Sequence, residues 1–421
     1  MRTTWNALLL PSIIGGAAAD WTSKIKVVRN GYFPLDVVDN LETATMAKVE
    51  TWVASKVAAG KNNNCTLENA AVRREWSDLS VAQREEYVAA VQCLMKLPAR
   101  APKDKYPGAL SRFDDFVAYH MTHAAQLHDT IHLFPAHKQF LYVYEQALRN
   151  ECNYTGYQPY MNYDRYARDP INSPMFNGNA SSMGGNGGPE PGYKGIPQSG
   201  RTPNIIKSGG GGGCVTEGPF SDMVVSLGPT SMSPIRGIAI PKNAFANGTA
   251  ANKRCLRRDI NRNAAMGATA DRAYSLIVNN TDINGFYNQL LGNPPPKNDP
   301  YPWGIHTAGH YIHAVDPGAD PATSPGDPVF YFHHGALDRL WWIWQMQDPD
   351  KRLNAVPAFG EMPGHGGMRR RHGSGTNNNA RADTDPMTAV IDLEWLAPSI
   401  PLMEAHDQLG GNKGAFCYVY V

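Results

Sequence analysis

Two clusters of histidine carry the residue types and spacings expected of metal ligands. Five of the thirteen histidines fall within eighteen residues, at His120, His123, His128, His132 and His137. Two ligand sets are compatible with this first cluster. His128 and His132, four residues apart, would form a helical pair of the zinc type, whereas His120, His128 and His137 would need two helices and a loop to converge. Spacing alone leaves both sets open.

The second cluster combines a helical pair with an aromatic segment. His306 and His310 lie four residues apart, so a helix would project both from one face toward one metal. A later segment, residues 327–345, reads DPVFYFHHGALDRLWWIWQ and supplies a third imidazole from His333 or His334. Because successive helical residues point about 100° apart, only one of these two is expected to face the site.

The ligand pattern consists of imidazoles, without a cysteine or a carboxylate. Imidazole suits zinc, copper, iron and nickel, whereas magnesium and calcium prefer oxygen ligands. Di-iron carboxylate bundles would need Glu-x-x-His pairs, and the sequence contains none. The residues therefore predict a pair of zinc ions or a pair of copper ions.

Helices are expected to position most of these side chains. Apolar residues at three- and four-residue steps predict a helix over residues 41–59, and Ser80 opens a capping-box pattern that starts a second one. Pro135 should end one helix and let another begin, with His137 in its first turn. Residues 327–345 predict a buried helix, because a dense apolar run follows an Asp-Pro turn.

The composition is that of a loop-rich globular protein with no electrostatic preference for polyanions. Its 421 residues include 39 Lys and Arg against 38 Asp and Glu, so neither nucleic acid nor an anionic membrane is an expected partner. The charged fraction of 18% is low for a soluble protein, and 40 glycines and 32 prolines predict long irregular loops.

Several features indicate a secretory route. Residues 1–19 combine an early arginine, an apolar run and a small-residue ending, which together are typical of a cleaved signal peptide. Six cysteines suit an oxidising compartment, and we expect the pairs Cys65–Cys93, Cys214–Cys255 and Cys152–Cys417. Five glycosylation sequons occur, at Asn64, Asn153, Asn179, Asn247 and Asn279.

The histidine motifs resemble those of a known family. The stretch from His128 to Glu145, HDTIHLFPAHKQFLYVYE, is similar to the first copper motif of the tyrosinase and catechol oxidase family of type-3 copper proteins, and DPVFYFHHGALD, residues 327–338, is similar to its second. The spacing from His120 to His128 and on to His137 resembles the short secreted fungal members most. The resemblance implies a mainly α-helical fold in which a central four-helix bundle holds a dicopper site among long loops and a few short strands.

Carried over residue by residue, the resemblance implies that one copper is held by His120, His128 and His137 and the other by His306, His310 and His334. His123, His132, His313 and His333 would then be neighbours that pack or form hydrogen bonds. Asp338 would accept a hydrogen bond that orients an imidazole. Phe330, Thr307 and Tyr311 would stand at the substrate entrance.

The resemblance also implies an activity. It predicts an extracellular oxidase that converts o-diphenols, and related o-aminophenols, to o-quinones while dioxygen is reduced to water, with a small phenol as its partner. Thr307 stands where efficient phenol hydroxylases carry Asn, and Asp299 is the only carboxylate between Leu291 and His306. We therefore expect weak monophenol hydroxylation. The resemblance further implies one catalytic domain over residues 20–421 without a C-terminal lid. The alternatives are a haemocyanin-like dioxygen carrier and, less in keeping with the motifs, a dizinc hydrolase.

Overall fold

The computed structural model describes residues 33–128, 130–358 and 385–421. The expected signal peptide, residues 1–19, lies outside these ranges. Within them, no helix has both the length and the apolar character needed to cross a bilayer. Buried apolar side chains from Val38 to Tyr420 form one continuous core cluster.

Helices are the predominant regular secondary structure of the described chain, as predicted. Their bounds are α1 (Val37–Ala58), α2 (Val81–Leu94), α3 (Arg112–Leu127), α4 (Leu133–Cys152), α5 (Tyr163–Ala167), α6 (Arg262–Ala265), α7 (Ala270–Val278), α8 (Ile283–Leu291), α9 (Ile305–Tyr311), α10 (Val329–Gln345) and α11 (Pro349–Arg352).

The histidines of both clusters lie on or beside α3, α4, α9 and α10, which form the central bundle. Helix α4 packs against α2, α3 and α10, and α9 packs against α10. Every residue of α10 is buried, so its aromatic run is surrounded by protein on all sides. This burial explains why the segment lacks an amphipathic pattern.

Capping residues mark the starts of α2 and α3, but the boundary between α3 and α4 differs from the prediction: α4 starts at Leu133, so His137 lies just beyond its first turn. Ser80 caps α2 through the predicted capping box, and Ser111 caps α3 through another. Helix α3 ends at Leu127, well before Pro135, and a short loop follows. Pro135 instead lies in the first turn of α4, where a missing N–H costs nothing because the first backbone amides of a helix have no partner within it.

The strands are short and form two-stranded ladders. A parallel pair joins β1 (Ala71–Arg73) to the C-terminal β10 (Tyr418–Tyr420). The others are antiparallel: β2 (Gly187–Pro189) with β5 (Gly212–Val215), β3 (Gly195–Pro197) with β4 (Ile205–Lys207), β6 (Val224–Val225) with β7 (Arg254–Cys255), and β8 (Val390–Ile391) with β9 (Ile400–Pro401).

A buried charge network joins the β1–β10 pair to two bundle helices. The Arg73 guanidinium contacts Glu145 of α4 at 3.0 Å and Asp338 of α10 at 3.5 Å. Lys138 of α4 lies 3.2 Å from the other Asp338 oxygen, and both tyrosines of β10 donate hydrogen bonds of 2.7 Å to that carboxylate. The network fixes α4 and α10 relative to one another at the side chains that neighbour His137 and His334.

Two of the three expected disulfide pairings are wrong. The structure pairs Cys65 with Cys417 and Cys93 with Cys152, and only Cys214–Cys255 is as expected. The reason is topological. Helix α2 packs on α4 and so places Cys93 beside Cys152, whereas the β1–β10 ladder brings Cys417 to the loop that follows α1.

Removing the central carboxylate of the charge network should destabilise the fold. In Asp338→Asn, the hydroxyls of Tyr418 and Tyr420 lose a charged hydrogen-bond acceptor. Arg73 and Lys138 lose a buried anionic partner. We expect the free energy of unfolding of the metal-free protein to fall by about 3 kcal/mol in urea titrations. Asp350→Asn, at an exposed position of α11, is the matched control and should change it by less than about 0.5 kcal/mol. Equal stability of the two variants would contradict the role of this network.

Candidate metal centre

The first histidine group contains His120, His128 and His137. His120 lies on α3, His137 lies in α4, and His128 is the C-cap residue just after α3 with an extended backbone. One ring nitrogen from each comes within 4.8 Å of the others, so a single metal ion would fit among them. The ring centroids are 5.2 to 5.6 Å apart.

Backbone carbonyls orient all three rings of this group. The Nδ1 atoms lie at hydrogen-bond distance from three carbonyl oxygens: His120 from Ala322 (2.8 Å), His128 from Ala124 (2.8 Å) and His137 from Leu133 (2.6 Å). A carbonyl oxygen only accepts, so Nδ1 must carry the proton and donate it. The lone pair is therefore left on Nε2, the atom that would face a metal.

The competing helical pair, His128 with His132, is excluded by the backbone. His128 has φ −110° and ψ 149°, so the helix has ended there and the two residues do not share a helical face. His132 precedes α4 and directs its Nε2 toward the carbonyl of Val390 at 3.3 Å. Of the two sets left open by the spacing, the structure assembles the one that needs two helices and a loop.

The second group brings together four histidines. His306 and His310 project from α9, as their spacing predicts, and the adjacent His333 and His334 project from α10. One ring nitrogen from each lies within 4.8 Å of the others. His313, beyond the end of α9, is not in the group, and its Nδ1 lies 3.1 Å from Asp327.

His333 and His334 have different surroundings. His333 forms a 2.7 Å hydrogen bond through Nδ1 with the Tyr163 hydroxyl. Its ring packs so closely on α9 that a Cβ added at Gly309 would lie 2.2 Å from that nitrogen. His334 instead stacks on His137 of the first group, with ring centroids 4.2 Å apart and planes within 7°. His334 therefore faces the other histidine group, whereas His333 lies against α5 and α9.

Burial keeps these imidazoles neutral. Loss of hydration, with a contribution from His128, lowers the pKa of His120 and His306 to about 3. The same cause holds the pKa values of His137, His310 and His334 well below the usual range. In the described part of the chain, the buried Nε2 atoms of five residues of the two groups have no hydrogen-bond partner: His120, His137, His306, His333 and His334. Neutral nitrogens with buried lone pairs are what copper or zinc would require, so the residues fit a pair of such ions.

A cavity of about 470 Å³ leads to both groups. Its walls include His128, His306 and His310, together with the two expected entrance residues Thr307 and Tyr311. A volume of this size accommodates a small aromatic molecule.

Two expected site roles need correction. Phe330 does not line the cavity: it is 1% exposed and packs beneath the imidazoles, 4.1 Å from His334 and 5.3 Å from His120 between ring centroids. It is an aromatic wall of the site but not part of the entrance, because it points into the bundle. Asp338 was expected to accept a hydrogen bond from an imidazole. It instead accepts hydrogen bonds from the β10 tyrosines and contacts Arg73 and Lys138, since it lies one helical turn beyond His334.

The structure also locates the carboxylate that was considered from sequence, and it adds cavity residues that the sequence did not indicate. Asp299 accepts from Nη2 of Arg272 at both of its oxygens, at 2.7 and 2.8 Å, and does not line the cavity. Ser199, Arg201 and Met232 do line it, from loops about 70 to 110 residues before α9 in the chain. Nothing in their local sequence marks them, because only the folding of these loops over the bundle brings them to the cavity.

Comparisons with known proteins agree with this geometry. Residues 110–347 match the family model described as the common central domain of tyrosinase. The tyrosinase-like protein orsC of Emericella nidulans is 41% identical over 312 residues, which cover 72% of this chain and 81% of that protein. The N-acetyl-6-hydroxytryptophan oxidase ivoB of the same organism is 32% identical over 387 residues, covering 87% of this chain and 96% of the relative. A polyphenol oxidase structure from Thermothelomyces thermophila superposes with a TM-score of 0.74 at 32% identity, covering 91% of this chain and 97% of that one.

Filling the space at Gly309 should disturb the second group. In Gly309→Ala the new methyl carbon would overlap the His333 ring and approach Tyr163, so one helix must shift. We expect the free energy of unfolding to fall by about 1–3 kcal/mol, measured by urea titration of the metal-free protein. Gly188→Ala is the control, because its added carbon would meet only the Cys214 carbonyl oxygen at 3.8 Å. The close packing of His333 on α9 would be refuted if both variants were as stable as the wild type.

Proposed function

The chain belongs to the tyrosinase family, and from that premise we propose that it is a secreted dicopper oxidase of o-diphenols and related o-aminophenols. The observation that carries the proposal is the pair of facing imidazole groups at the base of the cavity, joined by the stacked rings of His137 and His334. Relatives at 32% and 33% identity are named as oxidases or tyrosinases, and this supports the reaction class.

We propose that one copper is held by His120, His128 and His137 and the other by His306, His310 and His334. The chemistry supplied by a bound copper pair is the transfer of two electrons from each o-diphenol to dioxygen, so that two diphenols and one O₂ give two o-quinones and two waters. His334 is chosen over His333 because its ring stacks on His137 of the other group, whereas the ring of His333 packs against α9 and against Tyr163 of α5.

The residues of the chain prepare the site for this chemistry. Carbonyl-bound Nδ1 atoms fix the first three rings in the tautomer that binds metal. Burial keeps His120, His137, His306, His310 and His334 neutral, and Phe330 packs beneath the two groups. The cavity admits a flat phenolic ring beside Thr307 and Tyr311.

Monophenol hydroxylation is proposed to be weak. The family's efficient hydroxylases carry Asn at the position of Thr307, where with a nearby Glu it holds a water that takes the phenolic proton. In the described residues the cavity wall contains no carboxylate. Asp299, the single candidate between α8 and α9, is held by Arg272. A proton acceptor for the phenol is therefore lacking near the entrance.

Secretion and glycosylation are part of the proposal. Three disulfides and the signal-like residues 1–19 are typical of an exported protein. All five sequon asparagines are exposed in the structure and so are accessible to a glycosyltransferase: Asn64, Asn153, Asn179, Asn247 and Asn279. We further infer that residues 20–421 act as one catalytic domain.

The two other functions considered from sequence are not favoured. Dioxygen transport of the haemocyanin kind requires that organic substrates be kept out, whereas here a cavity of about 470 Å³ reaches both histidine groups. A dizinc hydrolase would share the donor set, but the relatives named by activity are oxidases. Metal analysis of the isolated protein distinguishes zinc from copper directly.

Copper content separates the two adjacent histidines. His334→Gln removes a proposed ligand, and we expect about one copper per chain by inductively coupled plasma mass spectrometry after loading and desalting. His333→Gln keeps a side chain that can hydrogen bond with Tyr163, so about two coppers should remain. The assignment fails if His333→Gln loses a copper and His334→Gln does not. Circular dichroism of both variants checks that neither has unfolded.

Initial rates on a diphenol and a monophenol test the substrate range. We expect the copper-loaded protein to oxidise catechol readily and tyramine poorly, with a lag, when no diphenol primer is added. Oxygen consumption measures both reactions without depending on quinone colour. Equal rates on catechol and tyramine without a lag would contradict the proposed weak hydroxylation. No oxygen uptake with either compound would contradict the oxidase assignment.

A further inference from the structure

The cavity above the histidine groups contains one permanently charged side chain. Among the described residues that line it, Arg201 is the single cation, and no aspartate or glutamate is present. The remaining walls are apolar, aromatic or neutral. A substrate in this cavity is therefore exposed to one positive charge, that of Arg201, and to no carboxylate of the described lining residues.

Arg201 reaches the cavity from the tip of the β3–β4 hairpin. Its Nη1 donates to the carbonyls of Gly292, at 2.7 Å, and Pro302, and its Nη2 donates to Leu291 at 3.1 Å. These carbonyls belong to the end of α8 and the approach to α9, so the guanidinium is held rigidly beside the helix that carries His306 and His310. The preorganised position lowers the entropy cost of binding a ligand.

Part of the guanidinium is still available to a ligand. A guanidinium has five N–H donors. Three are used by the carbonyls, so Nε–H and one hydrogen of Nη2 have no acceptor in the described part of the chain. The carboxylates of the neighbouring loops are occupied elsewhere: Asp299 by Arg272, Asp316 by Arg254, and Asp320 by the backbone and hydroxyl of Thr230. Among the residues that the structure describes, the charge of Arg201 thus lacks an anionic partner.

We propose that Arg201 binds a carboxylate on the substrate and so makes the enzyme selective for carboxylate-bearing o-diphenols. This inference rests on the proposed oxidase function. The Nε–Nη2 edge is the one that Arg258 presents to Asp327 within this chain, at 2.8 and 2.7 Å, so a planar carboxylate matches it in two-point geometry. A substrate held there by its acidic tail would direct its ring toward His306 and His310.

A matched pair of substrates tests the proposal. One is 3-(3,4-dihydroxyphenyl)propanoate and the other is its primary amide, which has the same catechol ring and chain length but no charge. We expect kcat/KM of the wild type to favour the acid by about tenfold, the effect of one good hydrogen bond to a charged group. In Arg201→Gln the acid-to-amide ratio should fall to about one, and in Arg201→Lys it should keep a value between the two.

A control arginine separates charge recognition from structural support. Arg149 also donates to two backbone carbonyls, those of Thr155 and Gly156, but lies outside the cavity, so Arg149→Gln should leave the ratio at its wild-type value. If Arg201→Gln does not fold, the acid-to-amide ratio of the wild type still tests charge recognition. Under the proposal, this ratio should shrink as NaCl is raised to 1 M.

Each result bears on one hypothesis. A wild-type ratio near one, or a ratio that persists in Arg201→Gln, would overturn the role of Arg201. Equal losses on acid and amide in that variant would also overturn it and would identify Arg201 as a structural link between the hairpin and α9. Oxidation of neither compound by the copper-loaded protein would instead overturn the proposed oxidase function itself.

Discussion

Nitrogen lone pairs that are buried without protein partners are the constraint on which the rest of this structure depends. Each unsatisfied buried polar atom costs about 1–3 kcal/mol, and among the described residues five imidazole Nε2 atoms of the two histidine groups meet this description at the centre of the bundle. The fold tolerates them because the Nδ1 atoms of the first group are satisfied by carbonyls and because burial keeps the rings neutral. A metal bound there would remove the cost, so metal binding and stability are coupled.

The helices that carry these rings are fixed on the opposite side by charge. Lys138 follows His137 in α4, and Asp338 lies one turn after His334 in α10, so the ion pair between them joins the same two helices as the stacked rings. Arg73 and the β10 tyrosines complete the network from the two ends of the described chain. Because a buried charge network is stable only when all its partners are present, the spacing of α4 and α10 is determined by residues far apart in sequence.

Local patterns predicted what lies on regular helices. The pair on α9, the buried α10 and the capping box of α2 all follow from spacing, since a helix converts sequence distance into direction. Prediction was weaker where a residue lies just outside a helix. His128 is the C-cap of α3. Spacing allowed two ligand sets, His128 with His132 or His120 with His128 and His137. The extended backbone of His128 separates them, and spacing does not reveal that backbone conformation.

Long-range arrangement accounts for the remaining errors. Cysteine pairing depends on which helices pack together, and the expected Cys65–Cys93 link assumed that α1 and α2 were neighbours, whereas α2 packs on α4. Phe330 was expected at the entrance from the family resemblance, but its direction from α10 places it beneath the rings. Arg201 escaped notice because it lies more than 100 residues before α9 and is brought there by a hairpin.

Chemistry and selectivity are therefore built on different parts of the chain. The proposed ligands come from, or adjoin, helices whose relative positions are fixed by stacking, backbone hydrogen bonds and buried charge, and a change there would affect the reaction with every substrate. The cavity wall comes largely from loops around α9, including the β3–β4 hairpin, which contact the bundle through carbonyl groups and single side chains. Loop residues such as Ser199 and Met232 line the cavity without supplying a proposed ligand, so the substrate range can change while the set of metal ligands stays the same.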